Sequence, residues 1–485
     1  MQKLKNYLKS NRLTRPVYMV LYYLYWFGIE ATLRKLKQTV LGNKKPANNL
    51  ASSVQDVTIP SISHVNNKRG AKLYIEEYVD EINSYCNSDW FIDELPGTKV
   101  IEDGVILPLI ISPTQNCTYA GGAGGVCRQD GTFVAGHIRS ATHPNIPVHG
   151  NTDTDKAYPI PDDVKCIPET VVYGGIYIDA YGHMITESLS RLWWYAENSD
   201  CNYKCVFISS SKQIGEKFYE FIDLLGIPKE NIVICEAATR FDNVIVPDQA
   251  FYFLKGYTEK AKVLFNAIRD SVQPGLYEKV YLTKTQFHGN DIVNEEYFEN
   301  YYRNLGFEII SPEHLSLRDQ ISLLAGVKQL VCMLGTLGHQ IVFCQDGINL
   351  TILKKVRYPI FTQYWLNQLR DAHCTFVDVS NNFMPHTPTG AGYLCVPTNH
   401  WKQYLTANKG LLTPYKEFDN REAVIKYIEM WAKNVAGFAH IPQQLHFMSR
   451  FSVADIVIGI NEGLSDEKLD EDVKIALYEA FTNQK

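Results

Sequence analysis

The sequence lacks any regular pairing of cysteines. Its eleven, at 86, 117, 127, 166, 201, 205, 235, 332, 344, 374 and 395, are odd in number and scattered, which does not make a disulfide framework. Cys201 and Cys205 form the one close pair, and no second pair or His pair completes a zinc site. Cys235 and Cys332 lie in apolar strand-like runs, where a thiol behaves as a small hydrophobe. Reduced thiols in a cytosolic compartment follow. No G-x-G-x-x-G follows a strand, which disfavours an oxidoreductase built on two dinucleotide folds. The glycine cluster Ala120–Gly125 has no Lys-Ser/Thr behind it, so it is not a phosphate loop; Asp130-Gly131 just beyond marks a hairpin turn instead. Asp153-Thr154-Asp155 has the spacing of a metal-binding Asp-x-Asp, but it lies in a polar linker and reads as incidental. Tandem repeats are absent.

A long apolar run is also missing. Val17–Ile29 gives thirteen residues, about 20 Å as a helix against the roughly 30 Å of a bilayer core. No small-residue cleavage site follows it; Glu30 and then Arg34-Lys35 do. Its Tyr and Trp content and its basic flanks suit the headgroup zone, so residues 1–42 are expected to lie in the plane of a membrane surface. A single spanning helix, or a helix packed on the protein or a partner, is the alternative. Residues 1–48 hold ten Lys or Arg against Glu30 alone, while the whole chain carries −6, so the remainder carries −15. A negative body excludes nucleic acid as the expected partner. The sequons at Asn116 and Asn349 matter only in a secreted chain.

At 485 residues with 12% aromatics, the chain exceeds a single core and is not generally disordered. Residues 43–70 read as a linker and 71–86 as a helix, followed by short strands to about 150. From 171 onward, strand-like runs (CVFISS, NIVICE, NVIVPD, KVYLTK, FEIIS, KQLVCM, INLTILK) alternate with helical stretches such as 216–226, 257–272, 294–304 and 315–326. That alternation implies parallel sheets with crossover helices. Pro274-Gly275 marks a boundary between two such blocks, 71–273 and 274–400, with a helical extension over 401–485.

Residues 177–194, YIDAYGHMITESLSRLWW, are the most informative segment. Asp179, His183, Glu187 and Arg191 recur every four residues, a spacing that stacks them along one side of a helix. Ile185, Leu189 and Leu192 fall opposite, as a core stripe. The strand-like VVYGGIYI before it puts this helix at the mouth of an α/β crevice. The competing reading is a solvated surface face.

Together with residues 280–353 this segment resembles glycosyltransferase family 61. The resemblance rests on Gly182-His183, Glu187 and Arg191-Leu192. It continues through Tyr281 and Lys284, Asn294-Glu295, Gly306-Phe307, Leu315-Ser316 with Gln320, and Gly335-Thr336 with Phe343. In order and spacing it covers roughly residues 100–355. Leu334-Gly335-Thr336 stands where the family often has His-Gly-Ala, with His339 a few residues on, and Thr283-Lys284 replaces a serine-arginine.

The resemblance implies an inverting glycosyltransferase of GT-B architecture, two Rossmann-like domains facing a cleft. The 71–273 block would take the acceptor side and 274–400 the nucleotide-sugar side. The acceptor would be a growing surface polysaccharide, such as a capsule, or another glycan or lipid-linked chain. Localisation at the cytoplasmic face of the membrane goes with the basic end and free thiols. Transfer requires a base for the acceptor hydroxyl and charge neutralisation at the leaving diphosphate. His183 and Glu187 are the candidates for the first task, with Asp179 a rival base. Arg191, Lys284, Gly335, Thr336, Gly338 and His339 are the candidate substrate ligands. No cofactor or metal is expected. A catalytically inactive family member, acting as a membrane-bound scaffold in polysaccharide assembly, is the alternative.

Overall fold

The computed structural model describes residues 71–111, 122–139, 154, 156–382 and 392–408, with six further positions between 423 and 434. All belong to one unit, Ser63–Lys485. The membrane-associating segment expected over 1–42, the linker over 43–70 and most of the 401–485 extension lie outside the described residues. Within the described part of that extension, Asn399–Ala407 is helical and capped by Thr398, whose side chain accepts from the Trp401 N–H. Among the described residues no helix is long and apolar enough to cross a membrane.

The chain is a mixed α/β protein with two large sheets. One has six strands in the order Lys72–Tyr74, His373–Asp378, Asn349–Lys354, Gln329–Met333, Lys279–Leu282, Glu308–Ile310. Every pairing in it is parallel. Its central strands read QLVCM and NLTILK, the near-continuous apolar runs of a sheet covered on both faces. The other large sheet is mixed. Strands Lys165–Tyr177, Lys204–Ser209, Ile232–Ile234 and Thr239–Pro247 pair in parallel. Thr98–Glu102, Val105–Ile110, Ala123–Cys127 and Phe133–Ala135 extend it by antiparallel pairing. Ala123–Gly125 of the glycine cluster thus lie in the strand Ala123–Cys127, and the Asp130-Gly131 turn joins it to the next, as the turn residues indicated.

One expected element differs. Residues 71–86 are not one helix: Lys72–Tyr74 forms the far edge of the six-stranded sheet, and the helix is Val79–Asn87. Ala71 to Ile75 offers an edge strand that pairs with Thr375–Val377, and tertiary pairing outweighs the helical pattern.

The helices bring the two sheets together around shared aromatic packing. Phe221, from the helix Glu216–Leu224, stacks on Phe343 with ring centroids 5.9 Å apart. Phe251 stacks on Phe265 at 5.4 Å and on Trp365 at 5.6 Å. Ile185, Leu189 and Leu192 are fully buried in the same core. This packing sets the 181–188 turn against the 335–343 turn.

Candidate active site

The segment after Tyr177 does not form the regular helix its spacing suggests. Tyr181–His183 makes one helical turn, and Met184–Ser188 is a π-turn in which Leu189 N–H reaches Met184 C=O. Three small hydroxyls hold it. Thr186 Oγ1 donates to Gly182 O at 2.8 Å, and Ser188 Oγ accepts from Ile178 N at 3.0 Å. Ser190 Oγ donates to Phe251 O at 2.8 Å. The wider turn breaks the four-residue register, so only His183 and Glu187 of the four ionisable residues meet.

Glu187 is buried, its carboxylate fully enclosed, which rules out a solvated face. His183 Nδ1 lies 2.5 Å from its Oε1 and His137 Nε2 lies 2.9 Å from its Oε2. Arg139 adds Nη2 to Oε1 at 2.9 Å and Nε to Oε2 at 2.6 Å. Burial alone would raise the Glu187 pKa, but the Arg139 charge and the hydrogen bonds from His137 and His183 outweigh it and hold the carboxyl well below its usual range. An ionised carboxylate only accepts, so both imidazole nitrogens facing it carry hydrogen. His183 is therefore the Nδ1–H tautomer when neutral, with the lone pair on Nε2. Burial lowers the His137 pKa more than Glu187 raises it, which keeps that ring neutral. The Phe253 ring closes the cluster, 4.7 Å from the Arg139 guanidinium carbon and 5.4 Å from the His183 ring.

His137 and Arg139 were not singled out from the sequence. They sit two apart in GHIRS, a spacing that puts two side chains on one side of an extended chain, and that was the available signal. Thr154, the middle of Asp153-Thr154-Asp155, pins them: its backbone bridges His137, and its Oγ1 accepts from His137 N at 2.6 Å. Gln249 adds a second clamp, accepting from Ile138 N at 2.8 Å.

Asp179 and Arg191 go elsewhere. Asp179 is exposed and accepts from the Tyr177 hydroxyl at 2.8 Å; no hydrogen bond or ion pair joins it to the Glu187 cluster. Arg191 is buried, donates to Gly136 O at 2.9 Å and to Pro247 O, and lies over the Tyr173 ring. It braces the 136–139 loop from behind and is not an ion-pair partner of Glu187.

The 335–339 turn faces His183 from the other block. Gly335 has φ +139°, a backbone conformation that an L side chain rarely adopts. Gly182 is where the two segments touch: a Cβ there would lie 3.2 Å from Thr336 Oγ1 and 3.6 Å from His339 Nδ1. Thr336 is exposed. His339 is buried with neither ring nitrogen hydrogen-bonded; burial, with the His183 charge second, pushes its pKa down to about 3. It brings no positive charge to the turn at neutral pH. Gly338 packs against Gln363, whose Nε2 donates to Gly338 O at 3.0 Å.

Positive charge comes from two lysines. Lys284, just past the strand Lys279–Leu282, and Lys355, just past Asn349–Lys354, both reach Asp291 Oδ1, at 3.0 and 3.5 Å. Lys355 approaches Gly335, its Cε 4.0 Å from where a Cβ would stand, and was missed in the sequence because nothing in KKVR distinguishes it from a surface lysine. Glu295 lies behind them, buried, accepting from Tyr281 OH at 3.3 Å and Lys284 N at 3.4 Å. Burial and the neighbouring Glu299 raise its pKa to about 8. Gln320, Asn294 and Phe343 of the family pattern are structural: Gln320 Nε2 donates to Pro312 O, Asn294 Nδ2 donates to Cys395 O, and Phe343 is core. Among the described residues no group of three or more His, Cys, Asp or Glu side chains is placed to hold a metal ion.

The arrangement sets an imidazole backed by a buried carboxylate against the 335–339 turn of the opposite block, and Lys355, which shares Asp291 with Lys284, approaches Gly335 of that turn. Chemically, the first can move a proton and the second can face an anion. No curated protein matches the chain. Residues 181–351 match the family model described as Glycosyltransferase 61, a span that holds His183, Glu187, Lys284, Gly335 and His339, and over that span the chain is similar to the glycosyltransferases of family 61.

Proposed function

We propose that the chain is an inverting glycosyltransferase of GT-B layout that moves a sugar from a nucleotide-sugar donor to a growing surface polysaccharide or other glycan acceptor. His183 is the base: Nε2 takes the acceptor hydroxyl proton as the new bond forms. Glu187 positions it. With both oxygens engaged by donors and its pKa depressed, Glu187 is a poor base and a strong anchor for the Nδ1–H tautomer. Lys284 and Lys355 face the leaving diphosphate beside Gly335 and Thr336. Residues 1–42 hold the enzyme at the cytoplasmic face of a membrane.

The observation that carries this reading is the enclosed Glu187 carboxylate with His183 on it. A buried ion pair network is costly to assemble for stability alone, and here it ends on a half-buried imidazole whose neighbour Gly182 packs against Thr336 and His339 of the 335–339 turn. The test is a panel of nucleotide sugars, scored first by thermal shift, since a ligand of the folded state raises the melting temperature, and then by release of nucleoside diphosphate with glycan acceptors. One donor that both stabilises the protein and is turned over supports the reading. Binding without turnover on every acceptor would favour the inactive scaffold, and no binding at all would remove nucleotide sugars from the account.

A further inference from the structure

Asp291 occupies a position that its surroundings mark as an anion seat. Two lysines from the ends of two different strands converge on one carboxylate oxygen. Lys355 is 9% exposed and its ammonium also lies 4.1 Å from the centre of the Tyr393 ring. Lys284 is half-buried and approaches the Phe287 ring. The buried Glu295 accepts from Tyr281 OH and Lys284 N and makes no ion pair with either ammonium group. So two ammonium groups share one carboxylate, and a net positive charge is left in a partly desolvated place next to Gly335.

The carboxylate is on a chain segment that can release it. Residues 286–289 are exposed, whereas the Asp291 backbone is fixed by Tyr393 N–H donating to its carbonyl at 2.7 Å. The side chain can therefore turn away without breaking the short strand Ile292–Val293. A dianionic diphosphate satisfies two ammonium groups better than one carboxylate does.

We propose that Asp291 is a resident stand-in for the donor's diphosphate, and that nucleotide-sugar binding proceeds by exchange, the diphosphate taking Lys284 and Lys355 as the carboxylate swings out. Asp291 thereby sets donor affinity by competition and keeps the lysines paired when the site is empty. This rests on the nucleotide-sugar reading above.

The probe is inorganic pyrophosphate, measured by calorimetry at pH 6.5 on the full chain. Removing the competing carboxylate in Asp291→Asn should tighten pyrophosphate binding about 3–10-fold, the range of a partly exposed ion pair. Asn can still accept from one lysine, so Asp291→Ala is made alongside it and should tighten at least as much. Lys355→Met should weaken binding about 10-fold or more, in the wild-type and in the Asp291→Asn background. Unchanged or weaker binding in both Asp291 variants overturns the exchange. Nucleotide-sugar turnover of the wild type, run in parallel, separates the two failures. Turnover with no tightening in the Asp291 variants removes only the stand-in. Absent turnover together with absent pyrophosphate binding in every variant removes the nucleotide-sugar reading itself.

Discussion

Glu187→Gln separates anchoring from base catalysis. The substitution removes a buried charge and replaces one acceptor oxygen with an NH2 group. Donors stand on both sides of the carboxylate: His183 Nδ1–H and Arg139 Nη2 on one oxygen and His137 Nε2–H on the other, which also lies 2.6 Å from Arg139 Nε in an ion pair. Whichever way the amide is turned, its N–H groups meet donors, and Arg139 loses its counter-charge while nearly buried. Breaking a buried pair on one side costs about 3–5 kcal/mol, which should lower the melting temperature on the order of 5–15 °C. His183 also loses the group that fixes its tautomer, and turnover should fall about 10²–10⁴-fold, as when the carboxylate behind a catalytic imidazole is lost. The donor KM should hold, because Lys284, Lys355 and the 335–339 turn are untouched. Steady-state kinetics well below the variant's melting temperature measure this. Wild-type turnover in a folded Glu187→Gln protein refutes the anchoring role. Abolished turnover here with activity kept in His183→Ala would make Glu187 the base.

Two further substitutions test the buried titrating groups. Glu295 has its folded pKa raised to about 8, so its contribution to stability is full below the ordinary carboxylate range and is lost as pH rises through about 8. Glu295→Gln, which can accept from Lys284 N and donate to Tyr281 OH, should be more stable than wild type by roughly 1–3 kcal/mol at pH 9 and gain little at pH 4, by chemical denaturation. His339 is held neutral with its pKa down to about 3, so wild type should lose stability as pH falls from the ordinary histidine range toward 3, by at most about 1.4 kcal/mol per pH unit from this group. His339→Gln should flatten that acid limb; His137 and Glu187, both depressed, act with the same sign and remain. An unchanged acid limb would show that His339 protonates freely in the folded state.

The sequence revealed the parts of the site that are local. His183 and Glu187 are four apart on one turn, and that contact forms. The buried strands and the crossover helices from 204 to 378 follow their apolar runs to within a few residues. What it hid is non-local. His137 and Arg139 lie about fifty residues before Glu187, and Lys355 lies about seventy after Lys284; only the folded sheet brings such residues together. The π-turn was hidden for a different reason. It goes with Thr186, Ser188 and Ser190 bonding backbone groups at Gly182, Ile178 and Phe251, all outside Met184–Ser188, and it moves Asp179 and Arg191 off the line that regular helical spacing draws.

If His183 removes the acceptor proton in a nucleotide-sugar transfer, its loss should slow the chemical step alone. The direct measurement is turnover by His183→Ala with the donor identified by the binding panel, together with the affinity of the corresponding nucleoside diphosphate. The expected result is a fall in kcat of about 10²–10⁴-fold with nucleotide affinity unchanged. Wild-type kcat in a folded His183→Ala enzyme would contradict it.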